Sequence, residues 1–209
     1  MRRSDASVGA MDADEWNERY RASELVWSAG PNQFVEAELS GLTPGRALDL
    51  AAGEGRNAIW LARRGWQVTA VDFSQAGLDK GRTLAGDLPV EWVCADATTW
   101  RGDSSYDVCV VAYLQLGADA RRAAVRNGFA SVRPGGVFLL VAHDTTNLTE
   151  GTGGPQSTDV LMTAEDILGD LDGERFEVER AGRVAREVAQ PDGGTRTAYD
   201  ALVRLVRAG

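Results

Sequence analysis

The chain has 209 residues, 44% of them hydrophobic and 25% charged, with a formal net charge of −9. That profile fits one soluble globular domain with a sizeable core. It argues against nucleic-acid binding, since Lys80 is the only lysine and arginines cluster no further than pairs such as Arg63-Arg64, and no run of 18 apolar residues offers a membrane span.

No apolar run follows Met1-Arg2-Arg3-Ser4-Asp5, so no secretory signal is expected. Asp12 to Ala22 reads as a helix with acids in its first turn. Asn32 to Ser40 is a second short helix after Pro31. A regular alternation follows. Ala47 to Leu50 is a buried strand and Arg56 to Arg63 a helix. Gln67 to Val71 is a strand, and Ser74 to Ala85 a helix that Ser74 can cap. Val90 to Cys94 and Asp107 to Ala112 are strands, and Asp119 to Val132 is a helix. Pro134-Gly135-Gly136 reads as a turn before the buried strand Val137 to Ala142. Strands apolar on both faces, alternating with helices, predict a parallel sheet covered on both sides. Thr163 to Leu171 is a helix. Arg175 to Ala189 and Arg196 to Val206 are extended runs joined by Gln190-Pro191-Asp192-Gly193-Gly194, the turn chemistry of an antiparallel hairpin. Between Ala142 and Met162 lies a long segment rich in Gly, Thr and Asp, a length typical of functional loops. Its stretch from His143 to Leu161 is expected to act as a lid over a filled site.

Cys94 and Cys109 sit inside the strands, without a C-x-x-C pair or a Cys/His cluster. Two buried, reduced cysteines of a cytoplasmic protein are expected, and no zinc.

The segment Asp49-Leu50-Ala51-Ala52-Gly53-Glu54-Gly55-Arg56-Asn57 follows a strand and opens a helix. Its glycines permit a tight turn and close approach of backbone to a ligand, and the helix start presents free N–H groups. An acid ends the next strand, Asp72 in Val71-Asp72-Phe73, suited to accept hydrogen bonds from ribose hydroxyls. A third, Asp96 in Cys94-Ala95-Asp96-Ala97, ends the strand after that, within reach of an adenine amino group. Gly53-Glu54-Gly55-Arg56-Asn57-Ala58 also fits the dinucleotide fingerprint, so a nicotinamide-dependent oxidoreductase is an alternative. Asp49 weighs against it. A carboxylate there repels a pyrophosphate but suits an amino group or a sulfonium. No second domain is expected to hold a hydride acceptor.

These residues resemble the class I S-adenosylmethionine-dependent methyltransferases. Asp49 to Asn57 looks like their first motif, Asp72 their ribose-binding acid, and Cys94 to Ala97 their adenine-side motif. Tyr106-Asp107-Val108 resembles the start of their fourth strand, and Arg133-Pro134-Gly135-Gly136 the turn before their fifth. Asn57 stands where the family usually has a third glycine. The Gly-x-Gly-Arg-Asn form is loosely similar to the tellurite-resistance and thiopurine-type branch. The resemblance implies a Rossmann-like α/β sandwich whose seven-stranded, mostly parallel sheet takes an antiparallel strand from the C-terminal hairpin. It implies one domain over 1–209, with residues 1–44 as a helical cap and 45–209 as the core. The implied activity is methyl transfer from S-adenosylmethionine to a small-molecule acceptor such as a thiol, metalloid or phenol. A non-catalytic S-adenosylmethionine sensor stays open as an alternative.

On that resemblance the cofactor-binding residues are Arg19, Trp27, Asp49, Ala51, Gly53, Gly55, Arg56, Asn57, Asp72, Phe73, Asp96, Ala97 and Tyr113. Arg19, within Trp16-Asn17-Glu18-Arg19-Tyr20, would pair with the methionine carboxylate, and Trp27 would pack over the sulfonium. Tyr113 and Gln115 follow the fourth strand. His143, the only histidine, follows the fifth. Tyr113 and His143 are the candidate catalytic residues, with His143 a base or a substrate-orienting group, or else a loop histidine bonded to backbone. His143-Asp144 lacks further acids to complete a metal site. The expected partner is a small-molecule acceptor, with neither nucleic acid nor membrane, in a monomer or homodimer.

Overall fold

The computed structural model describes residues 11–23, 25–26, 30–190 and 193–209. Seven strands form one sheet in the order β3-β2-β1-β4-β5-β7-β6. They are β1 (Arg46–Leu50), β2 (Gln67–Asp72), β3 (Val90–Cys94), β4 (Tyr106–Ala112), β5 (Val132–His143), β6 (Phe176–Ala189) and β7 (Thr195–Arg207). The pairs β3-β2, β2-β1, β1-β4 and β4-β5 are parallel, whereas β7 runs antiparallel to both β5 and β6. The expected α/β architecture with its antiparallel C-terminal strand is therefore present. Reversal of strand order beside β1 makes a switch point, and the carboxyl ends of β1, β2 and β4 open there.

Period-2 alternation assigns each strand to two cores. In β4, Cys109 and Val111 face one cluster with Phe129 and Ile167, while Val108 and Val110 face another with Leu39 and Leu61. Helices α5 (Ala118–Ser131) and α6 (Ala164–Asp170) cover the first face. Helices α2 (Gln33–Leu39) and α3 (Arg56–Arg63) cover the second, with α4 (Gln75–Ala85) beside α3. Both faces being covered is why β1, β2 and β4 read as apolar runs.

Helix α1 (Ala13–Ala22) starts in a capping box, in which Glu15 N donates to Asp12 Oδ1 at 2.9 Å and Asp12 N to Glu15 Oε2 at 2.8 Å. It docks on the start of α4. There Asn17 Oδ1 accepts from the Ser74 hydroxyl at 2.8 Å and from Ala76 N at 3.0 Å. The sequence pattern found each element to within a residue or two, except for β5. That strand begins at Val132, and Pro134-Gly135-Gly136 lies inside it rather than in a turn. The register of β5 on β4 shifts between Tyr106 and Val108, so the segment is an irregularity of the ladder. Gly136 is required there, because a Cβ would stand 2.9 Å from the Asp107 carbonyl oxygen.

The expected loop between β5 and α6 holds two 3-10 turns, Thr145–Leu148 and Thr158–Val160. Val160, Leu161 and Met162 are buried. Of the hairpin turn, Pro191 and Asp192 lie outside the described residues. No helix among the described residues is long and apolar enough to cross a membrane.

Candidate functional site

The loop from β1 to α3 carries three left-handed residues, Ala51 (φ 63°), Gly53 (φ 57°) and Gly55 (φ 72°). Among the described residues only Ala51 and Tyr113 (φ 58°) are non-glycine residues with positive φ. Both sit just after the ends of neighbouring strands and line the same cleft. Such backbone costs on the order of 1–3 kcal/mol and persists where surroundings over-determine it, which is common at functional sites.

Gly53 lines the cleft. Gly55 does not. A Cβ on it would meet Trp92 at 2.3 Å, and one on Gly81 would meet the same ring at 2.5 Å. Close approach at Gly55 thus serves packing of the β3 indole rather than a ligand. Glu54 is buried beside it. Its carboxylate accepts from Val26 N at 3.0 Å and pairs with Lys80 Nζ at 3.2 Å, joining Val26 and α4 to the glycine loop.

Asp72, at the end of β2, lines the cleft. Its Oδ2 accepts from Gly53 N and its Oδ1 from Ser74 N, both at 2.8 Å. One carboxylate thus fixes the glycine loop and the start of α4, while each oxygen retains a lone pair. Burial pushes its pKa up to about 6, opposed by the bonds from Ser74 and Gly53. Asp49 is placed differently from its expected role in the lining. It lies beneath the loop, 1% exposed, with Oδ2 accepting from Ala58 N at 2.9 Å and Oδ1 without a hydrogen-bond partner. Burial pushes Asp49 up to about 7, against the downward pull of the Ala58 bond and the Arg56 guanidinium.

The cleft encloses about 780 Å³ of non-protein space, partly open to solvent. Ala51, Arg56, Asn57, Phe73, Asp96, Ala97 and Tyr113 line it, and so does Gln115. Trp16 and Tyr20 line it as well, their rings stacked 5.5 Å apart on α1. Arg19 does not line it. Its side chain is exposed, with the guanidinium 5.0 Å from the Trp16 ring. Trp27 lies outside the described residues.

A second concavity, about 650 Å³ and also open, adjoins the first and shares Arg56 and Tyr113 with it. Asn32, Arg186 and His143 are among its lining residues. His143 faces this concavity and is not part of the first. His143 and Asp200 stand opposite each other in the β5-β7 ladder, with Nδ1 3.5 Å from Asp200 Oδ1, within ion-pair reach but without a hydrogen bond. Asp200 is fully buried. Its Oδ2 accepts from Arg186 Nε at 2.6 Å and from the Tyr113 hydroxyl at 3.1 Å. The Tyr113 ring stacks on His143 at 4.4 Å. Burial, then the Asp200 charge, pushes the Tyr113 hydroxyl up to about 12, so it stays protonated and works as a donor rather than a base.

Asp200, Arg186 and Asn32 escaped the reading of the sequence. Asn32 caps α2 and donates its backbone N–H to Asn57 Oδ1 at 2.9 Å, clasping the cap to the glycine loop. The one available signal was His143 itself, which needed a cross-strand partner. Asp144 spends its carboxylate on Thr146, from whose backbone N–H and hydroxyl it accepts at 2.9 and 2.7 Å. Among the described residues no group of three or more potential metal ligands exists.

Residues 47–136 match the family model described as a methyltransferase domain. A demethylmenaquinone methyltransferase of Clavibacter sepedonicus is 33% identical over 156 residues, covering 69% of this chain and 63% of that protein. The chain therefore spans less than two thirds of that relative. Among solved structures, an N-methyltransferase, NodS of Bradyrhizobium japonicum bound to S-adenosyl-L-homocysteine, superposes with a TM-score of 0.68 at 18% identity, over 92% of this chain and 97% of that one. A structure from work on the conversion of a disulfide bond into a thioacetal group in echinomycin biosynthesis gives 0.73 at 21% identity, over 94% and 92%. These likenesses establish the fold.

Proposed function

We propose that this chain, which carries a methyltransferase domain on the class I S-adenosylmethionine-dependent fold, binds S-adenosylmethionine in the first cleft and methylates a small acceptor held in the second. The observation that carries the reading is the adjacency of the two concavities, which share Arg56 and Tyr113 at the switch point of the sheet.

The residues of the first cleft fit the cofactor. Asp72 retains lone pairs for a ribose diol, and Phe73, Asp96 and Ala97 offer an adenine an aromatic face and a carboxylate. Trp16 and Tyr20 supply aromatic faces, which attract a sulfonium. Asp49, with one bare buried oxygen under the loop, adds negative potential at the cationic end of such a ligand. When bound, S-adenosylmethionine supplies an electrophilic methyl on sulfur, open to in-line displacement.

The protein's part is alignment and, for an acceptor that must lose a proton, a base. Holding donor and acceptor in line supplies roughly 7–11 kcal/mol in favourable systems. With its Nδ1 proton toward Asp200, His143 has Nε2 left to take a proton from the acceptor. Asp200 then stabilises the imidazolium that forms. Tyr113, bonded to Asp200 and stacked on His143, fixes the imidazole ring.

Release of S-adenosylhomocysteine with thiols, phenols and metalloid oxyanions tests the reading. Turnover on one acceptor is expected. For an acceptor that must lose a proton, His143→Ala should lower turnover about 100-fold or more, with cofactor affinity nearly intact. For a thiol that ionises alone, acceptor binding should weaken instead. A His143→Ala protein with wild-type turnover on its acceptor would remove His143 from the mechanism.

A further inference from the structure

We propose that the second concavity is built for an acceptor bearing a carboxylate, with Arg186 and Arg56 as its anchors. The proposal rests on the reading of that concavity as the acceptor site and adds the chemical class of its occupant.

The chain carries a net −9, yet two guanidiniums converge here on one ring. Arg56 lies 5.7 Å and Arg186 5.9 Å from the Tyr113 ring centroid. Each side chain comes from a different part of the fold, Arg56 from the first turn of α3 and Arg186 from β6. Burial lowers the pKa of Arg56 and the like charge of Arg186 adds to it, against the upward pull of Tyr113 and Asp49. A bound anion within reach of both guanidiniums would relieve their mutual repulsion.

The nearby acids leave room for such an anion. Asp200 is committed to Arg186 Nε and the Tyr113 hydroxyl and lies behind the wall, fully buried. Bonds to Asp200 and to the Tyr113 hydroxyl fix the Arg186 plane and use part of its five-donor guanidinium, and the remaining N–H groups can donate to a carboxylate. Asp49 lies under the glycine loop and Glu187 is exposed at the rim, where its carboxylate accepts from the Thr197 hydroxyl at 3.3 Å. An acceptor anchored this way would lie with one end on Arg186 and the other across Tyr113, at the border of the first cleft.

The full chain, loaded with S-adenosylhomocysteine, is titrated calorimetrically with benzoate and with its neutral isostere benzamide. Benzoate is expected to bind at least about tenfold more tightly, the contrast shrinking as salt rises. Arg186→Gln should weaken benzoate at least about tenfold while S-adenosylhomocysteine affinity stays within about twofold. Arg186→Lys, which keeps the charge but not the fork, should fall between. Should Arg186→Gln fail to fold, the benzoate–benzamide contrast in the wild type and the lysine variant decide. Equal binding of benzoate and benzamide, no benzoate binding at tens of millimolar, or undiminished binding by folded Arg186→Gln would each overturn the proposal. Failure of S-adenosylhomocysteine to bind would instead overturn the methyl-transfer reading, and with it the occupant's role as acceptor.

Discussion

The two concavities meet at Tyr113 but are built by opposite means. The first is mostly backbone: a loop with three left-handed residues, one carboxylate bracing two N–H groups, and a helix laid across the top. Nearly every part comes from the residues that directly follow β1, β2, β3 and β4. The second is mostly polar and charged side chains brought together from Pro31 to Glu187, cross-braced through the buried Asp200. A site made of local turns is fixed by local sequence, whereas a site made of cross-strand partners is fixed by the sheet as a whole. Damage to the second should therefore cost the fold more and cofactor binding less.

The largest effect on stability is expected at Asp200. Asp200→Ala strips Arg186 and the Tyr113 hydroxyl of their shared partner and should destabilise the protein by about 3 kcal/mol or more. For a chain of this size that lowers the melting temperature by roughly 6–12 °C. The same variant, below its melting temperature, should bind S-adenosylhomocysteine within about threefold of wild type. A loss of affinity matching the loss of stability would show that the two regions act as one.

A gain of stability of similar size, confined to high pH, is expected beneath the first cleft. Asp49 is held near 7, above the ordinary 3.8 of an aspartate. A carboxyl raised on folding contributes stability that is full below its unfolded value and lost as pH rises through the folded one. Asp72, held near 6, acts in the same direction. The wild type should therefore lose stability between about pH 4 and pH 8. Asp49→Asn keeps an acceptor for Ala58 N without the charge. It should be more stable than wild type at pH 8, by up to on the order of 4 kcal/mol, with the advantage gone at pH 4. Thermal unfolding at both pH values checks this, and parallel pH slopes in the two proteins would refute it.

The same contrast explains what could be read from the sequence. The central strands β1, β2 and β4 were visible because burial on both faces made them apolar, and the glycine loop because its chemistry is contiguous. Asp72 stood out as an acid at a strand end. Gly55 was misjudged in purpose, because the indole it accommodates comes from Trp92, 37 residues further on. The resemblance pointed to Arg19, whereas its helix turns Trp16 and Tyr20 toward the cleft. Asp200 was invisible for a plainer reason. It sits in a run of hairpin residues, Tyr199-Asp200-Ala201, and only the β5-β7 register sets it against His143. Pro134-Gly135-Gly136 carried every mark of a turn, yet pairing with β4 on both sides of it kept the strand continuous.

The central claim is that the first cleft is a S-adenosylmethionine site with Asp72 at the ribose. Calorimetric titration of S-adenosylhomocysteine, with NAD alongside, into wild type and Asp72→Ala tests it most directly. Asp72 also braces Gly53 and Ser74, so circular dichroism must first show that the variant is folded. One S-adenosylhomocysteine per wild-type chain and no NAD are expected. Affinity should fall in Asp72→Ala by about 2–4 kcal/mol, roughly 30- to 1,000-fold, for two lost charge-assisted bonds. Unchanged affinity in the folded variant, or NAD competing for the wild-type cleft, would contradict the account.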